Sequence, residues 1–336
     1  MSTVRASSQC ASLTILIACG YGLFRGVNSM TYRTAYDLSS SSFIFIADFY
    51  FTLMMTILII ACAIILGVLS YKEIIKPFSM PFIVPIMLFS GAIVAARFGL
   101  FGTLNPHITS VILATFFAIH SVALSLAWIE IFAAQEPSKA IIQIGAGMII
   151  NVIVCYAIRC TSGAASIVVE VGALCVAGVC LYIARTKLSN APDCTRAQDT
   201  HTLRENKTYK SAMQLLGDSF IAFFTMEAAV GLLNSFMLAG NMDFAASSFT
   251  TGMAMTCAAI IFWVLALAAQ KTPRSNTVFR GAVPVLAAMV IFIPFFSEGY
   301  SRFFNLLLLI SYDFIAITFT YYIAITAHKL RANSYV

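Results

Sequence analysis

Uncharged apolar runs recur along almost the whole chain, and each is long enough to cross a bilayer; no other feature of the sequence constrains its fold as much. A helix rises about 1.5 Å per residue, so about 20 residues cover the roughly 30 Å of hydrocarbon. Reading for such runs predicts ten helices, at about 11–29, 42–70, 78–102, 107–134, 140–158, 164–184, 212–239, 246–269, 281–296 and 303–327. The ninth is the shortest and holds Pro284 and Pro294, which membrane bundles accommodate because neighbouring helices satisfy the backbone groups that proline frees. Composition points the same way. Charged residues make up 10% of the chain and hydrophobic ones 60%, whereas soluble domains carry roughly 25% charge. The expected fold class is all-α: a polytopic membrane protein of about 10 transmembrane helices in a 6+4 arrangement, with major-facilitator-like bundles.

Orientation follows from the basic residues, which are retained on the cytoplasmic face near span ends. Fifteen of the 20 fall on one side: Arg5, Lys72, Lys76, Lys139, Arg185, Lys187, Arg196, Arg204, Lys207, Lys210, Lys271, Arg274, Arg280, Lys329 and Arg331. Four fall on the other (Arg25, Arg33, Arg159 and Arg302), and Arg97 lies within a span. Both termini are therefore expected in the cytoplasm of a multi-pass plasma-membrane protein. The net charge of +6 is then a product of topology and implies no direct nucleic-acid binding. The stretch ending at Cys19 has some likeness to a lipoprotein signal, but it continues as "YGLFRGV" into more membrane-type sequence and reads better as an uncleaved span. Nine cysteines show no metal-ligand spacing, so no metal and no cofactor are expected.

The longest polar interruption, residues 185–211, separates six predicted spans from four. Expected domains are thus an N-terminal six-helix bundle (1–184), a charged cytoplasmic connector (185–211) and a C-terminal four-helix bundle (212–336). A long cytoplasmic loop between two bundles is the layout of six-plus-six transporters.

Ionisable groups inside spans are costly and mark candidate sites. Asp48 and Arg97 fall at similar depth in the outer parts of spans 2 and 3, as a brace or as an anion site. In span 7, Glu227 and Asn234 are seven residues apart, which returns to within about 20° of one helical face. With Gly231 between them they form a midplane stripe that either lines a ligand cavity or bonds neighbouring helices. Asp313, mid-span in helix 10, is the natural partner to test against Glu227. The candidate ligand-binding set is Asp48, Arg97, Glu227, Asn234 and Asp313. His120 reads as a hydrogen-bonded bundle residue, and Glu170 as solvated near the outer surface. No nucleophile triad, metalloprotease motif or paired-carboxylate motif is present, so no enzymatic activity is expected. Glu130 falls about one turn from the cytoplasmic end of span 4, where water or Lys139 is within reach, and with Trp128 it reads as a structural corner between spans 4 and 5.

Three segments carry a resemblance: "GYGLFRGVNSMTY" (20–32), "LSLAWIEIFAAQEPSKA" (124–140) and "SYDFIAITFTYYIAITAHKLRA" (311–332). Together the chain resembles the membrane domain of LuxR-type transcriptional regulators, in which a major-facilitator-like sensor of about twelve helices precedes a cytoplasmic helix-turn-helix. The resemblance implies an integral membrane sensor that binds a small molecule within the bundle. In the family, two more spans and the DNA-binding module would follow position 332, where this sequence ends in "RANSYV". Signalling is accordingly expected to pass through a cytoplasmic partner, with the lipid bilayer and an unidentified small molecule as the other partners. The competing expectation is a permease of a small organic solute. Against it, the loop "YKEIIKP" lacks the glycine and aspartate of the transporter signature; for it stand Arg97, Glu227 and Asp313.

Overall fold

The computed structural model describes residues 2–37, 42–72, 74, 83–95, 106–161, 164–189, 214, 217, 248–268 and 298–330. Every regular element among them is an α-helix: α1 (Ser2–Asp37), α2 (Ser42–Tyr71), α3 (Ile83–Ala95), α4 (Pro106–Ala133), α5 (Pro137–Arg159), α6 (Ala164–Ser189), α7 (Ser248–Ala268) and α8 (Glu298–Leu330). Eight of the ten predicted spans coincide with these helices. The expected span at 281–296, all of that at 212–239 except residues 214 and 217, and all but the first residues of the expected connector lie outside the described residues.

Among the described residues, six stretches are long and apolar enough to cross a membrane: Ala11–Met30, Leu53–Tyr71, His107–Ala133, Pro137–Ile158, Ala165–Ser189 and Leu309–Leu330. Their outward surfaces fit that solvent. On α2, Leu53, Ile57, Ile60, Ile64 and Val68 recur at helical spacing and stay exposed, Ile64 by 61%. On α6, Val168, Val176 and Val179 do the same. Such stripes are unfavourable against water and cost nothing against acyl chains.

Helix α1 packs mainly on α5 and α6, α4 mainly on α2 and α3, and α3 also meets α6. Exchanging α1 with α4, α2 with α5 and α3 with α6 maps this set of neighbours onto itself. Gly91 of α3 meets Leu174 and Gly178 of α6 meets Leu88, while Gly20 and Phe24 of α1 meet Trp128 and His120 of α4, so α3 and α6, like α1 and α4, run in opposite directions. Helix α7 then packs on α5 and α8, and α8 on α4 and α5.

The seam between α1 and α5 depends on missing side chains. A Cβ on Gly22 would stand 2.6 Å from the Gly147 carbonyl oxygen and 2.6 Å from Ile150 Cβ, and one on Gly26 would stand 2.6 Å from Val154 Cβ. Gly22 and Gly26 are one turn apart, so helix meets helix along a ridge of small residues, the arrangement that lets lipid-embedded helices gain dispersion contacts. Beside the seam, Trp128 (0% exposed), Phe24, Phe132 and Ile17 fill the centre of the bundle. Tyr21 meets Phe132 edge-on at 5.0 Å between ring centroids, and Trp128 at 6.0 Å. The close approach of Gly20 to the Trp128 indole makes room for that ring.

Candidate functional site

Polar chemistry collects where α4 and α6 end and α5 begins. Glu130, in the last turn of α4, is 2% exposed and pairs with Arg185 of α6, Nη2 to Oε2 at 3.2 Å; the arginine side chain is 8% exposed. The sequence had suggested Lys139 or water as the partner. Lys139 instead pairs with Glu136 at 3.5 Å on the exposed turn. The reason is geometric: the first turn of α5 projects Lys139 away from the bundle, while α6 continues through Arg185 to Ser189 and brings its guanidinium level with Glu130. Glu130 therefore ties α4 to α6, two helices away in sequence, as well as standing near the α4–α5 corner.

That corner has its own fastening. Gln135 Nε2 donates to Gln143 Oε1 at 3.0 Å, and Gln143 Nε2 donates back to Gln135 Oε1 at 2.8 Å. Gln135 Nε2 also donates to the Ile131 carbonyl, one of the four that a helix end leaves without an internal partner. Pro137 opens α5, where its missing N–H would have been unpaired anyway.

The later helices dock on the same layer. Trp263 of α7 donates its indole N–H to the Ile141 carbonyl at 3.2 Å, and Gly145 leaves the slot the indole occupies. His328 of α8 meets the Ala133 carbonyl at 2.8 Å through Nδ1. A carbonyl only accepts, so Nδ1 carries the proton.

A second polar face runs up the bundle from there. Asp313 on α8 is 6% exposed. Thr320 lies seven residues along the same helix, within about 20° of the same face. The Thr320 hydroxyl donates to Ala316 O at 2.9 Å, and the Tyr21 hydroxyl of α1 is within hydrogen-bonding reach of it. Arg25, one turn beyond Tyr21, acts on it electrostatically. Arg25, counted from sequence on the outer side near the end of the expected span 11–29, lies inside the span Ala11–Met30. Its Nε is sealed from solvent without a hydrogen-bond partner, and so is Oδ1 of Asn28, three residues on.

Of the other expected site residues, Trp128 is fully buried in the aromatic cluster. Asp48 is described only by its backbone, within α2. Arg97, Glu227 and Asn234 lie outside the described residues, and with them both expected pairings, Asp48 with Arg97 and Glu227 with Asp313. His120 is buried at 2% and lies edge-on to Phe24. Glu170, expected to be solvated, is buried at 3%, and Ser166 Oγ donates to its Oε1 at 3.4 Å. Among the described residues, no three His, Cys, Asp or Glu side chains converge as metal ligands. Arg185, Gln143, Arg25 and Asn28 are the polar residues that sequence reasoning missed as partners. The signal for the last two was their shared helical face, offset by three residues inside an otherwise apolar run. No protein-family model matches this chain, and no curated protein matches it at a significant level.

Proposed function

We propose that the chain is the ligand-binding part of a multi-pass membrane sensor with a major-facilitator-like, 6+4 arrangement of about ten spans, resembling the membrane domain of LuxR-type regulators. A small molecule binds within the bundle, and the change is read on the cytoplasmic face by a partner protein. Lys72, Lys139, Lys187 and Lys329 all fall at the Glu130 end, which supports placing that end, and both termini, in the cytoplasm of a plasma-membrane protein. The inverted packing of α1–α3 against α4–α6 supports the architecture.

One observation carries the reading. Beside their apolar packing, α7 and α8 meet α5 and α4 at the Glu130 end through one polar contact each onto a backbone carbonyl, Trp263 to Ile141 and His328 to Ala133. Water can replace such contacts at little cost, so this layer is where ligand-driven movement of the later helices against the first six would be expressed. Cysteines at Ala133 and His328, joined by a short cross-linker in membranes, test it. Linking that falls when the solute of interest is added supports the sensor, and linking that no solute changes in any screen rejects it. The second reading, a permease of a small organic solute, is favoured by the same inverted packing. Uptake into proteoliposomes under a proton gradient separates the two, because a sensor binds without accumulating its ligand.

A further inference from the structure

This inference rests on the reading that the bundle binds a solute, and names the chemistry of that solute. Helices α4 and α5 meet at their tight corner and otherwise pack mainly on different neighbours, α4 on α2 and α3, α5 on α1 and α7, with α8 leaning on both. Away from the Glu130 end the two walls part, and α1 forms the floor of the crevice between them. Two lines of contact fix which face of α1 looks into it. On one side, Tyr21 meets Phe132 of α4 at 5.0 Å and Trp128 at 6.0 Å between ring centroids, and Phe24 meets His120 of α4 at 5.8 Å. On the other, Gly22 and Gly26 lie against Gly147, Ile150 and Val154 of α5. At about 100° per residue, Arg25 falls between these lines, about 40° from Tyr21 and about 60° from Gly22, while Asn28 falls about 20° from Tyr21. Both therefore face the crevice. Both are also only part-buried, so protein does not fill the space around them.

The two residues have unmet demands of opposite kinds. Arg25 lies inside the span Ala11–Met30, and its Nε is a sealed donor without an acceptor; Asn28 Oδ1 is a sealed acceptor without a donor. No carboxylate among the described residues pairs with Arg25. A guanidinium inside a span is expensive until an anion neutralises it, and its planar fork of donors matches a carboxylate in two-pronged fashion. One guanidinium balances one negative charge, so a dicarboxylate would bring an unpaired charge into the span. Asn28, about 4.5 Å from Arg25 along the axis, asks for a donor close to that carboxylate. An amide oxygen has no charge with which to neutralise an ammonium, so the donor that suits it is a hydroxyl.

We infer that Arg25 and Asn28 recognise a small 2-hydroxy monocarboxylate in the crevice between α4 and α5. The Arg25 guanidinium donates to the ligand carboxylate, and the ligand hydroxyl donates to Asn28 Oδ1. The Tyr21, Trp128 and Phe132 rings close the crevice toward the Glu130 end. Specificity is set by what a wrong ligand leaves unpaired: a neutral amide strands Arg25, and an acid without the hydroxyl strands Asn28.

The test is a thermal-stability titration of the purified full chain with lactate, mandelate and 2-hydroxy-4-methylpentanoate, each against its own amide and its own deoxy acid. At least one hydroxy acid is expected to raise the melting temperature, its amide binding at least about tenfold more weakly and its deoxy acid about fivefold more weakly. Asn28→Ala is expected to lower the hydroxy acid to the level of the deoxy acid and leave the deoxy acid unmoved, a split that lost packing would not produce. Arg25→Gln is expected to weaken both acids by about tenfold or more, with Arg25→Lys intermediate. The inference is overturned if no hydroxy acid binds, if the amide binds as well as the acid, or if folded Arg25→Gln and Arg25→Lys bind as the natural chain does. Equal loss of both acids in Asn28→Ala also overturns it, and that comparison decides by itself where the Arg25 variants do not fold. Binding of other solutes alone sinks this inference and leaves the ligand-binding reading standing.

Discussion

The α1–α5 seam and the polar layer at the Glu130 end both join helices, by opposite means. In the seam, Gly22 and Gly26 bring backbone onto backbone, and Asn151 beside them is occupied by sulfur contacts to Met255 and Cys155. In the layer, an ion pair, a reciprocal amide pair and two bonds to carbonyls make the junctions. Dispersion contacts at a glycine seam have no substitute in lipid, so α1 and α5 move together or not at all. In the layer, the buried Glu130–Arg185 and Gln135–Gln143 pairs are fixed in the same way by their lack of a substitute, whereas the half-buried Trp263 and exposed His328 bonds to carbonyls can be exchanged for water. The contrast separates the joints within α1–α6 from the polar contacts that α7 and α8 make with them.

The comparison can be broken at either region. The largest effect is expected from Glu130→Ala, which leaves Arg185 buried without its partner and costs about 3–5 kcal/mol. The double replacement of Glu130 by Leu and Arg185 by Met is expected to recover most of that in chemical or thermal denaturation in detergent. If the single change is silent, the pair is not sealed from water. Next comes Gly22→Ala, about 1–3 kcal/mol from forcing a methyl against the Gly147 carbonyl and Ile150. A drop in melting temperature of the folded fraction measures it. Gln143→Ala strands the Gln135 amide and is expected to cost about 1–2 kcal/mol by the same measurement. His328→Ala removes an exposed contact worth roughly 1 kcal/mol or less. Its sharper signature is easier cross-linking or proteolysis at the Glu130 end with the melting temperature almost unmoved, which distinguishes a releasable contact from a structural one. Lys139→Ala is expected to change stability by less than about 0.5 kcal/mol, because its pairing with Glu136 is exposed.

What the sequence made legible was whatever depends on length and solvent. A run such as 53–71 states its own environment, because no fold in water would leave Ile57, Ile64 and Val68 on one open stripe. Depth along the axis was also legible, and Glu130 was correctly read as lying near a helix end. Lateral position was not. Which helix stands beside Glu130 depends on the packing order of the bundle, and apolar spans carry little periodic signal to say which faces meet. Lys139 was near in sequence, whereas Arg185 was near in space. Arg25 was legible in the same limited way: it falls near the outer end of the expected span 11–29, and the helix continues past it to Asp37, but nothing in the sequence says which neighbours it faces. Gly22 and Gly26 did carry a readable sign, small residues one turn apart, that points to a helix contact without naming the partner.

The contact between His328 and Ala133 has one more consequence. The Ala133 carbonyl can only accept, so the ring must present Nδ1–H to it. A side chain at 328 that offers only acceptors, a carboxylate above all, would face the carboxyl-terminal carbonyls of α4 with nothing to give, so this join is made in one direction only, from α8 to α4.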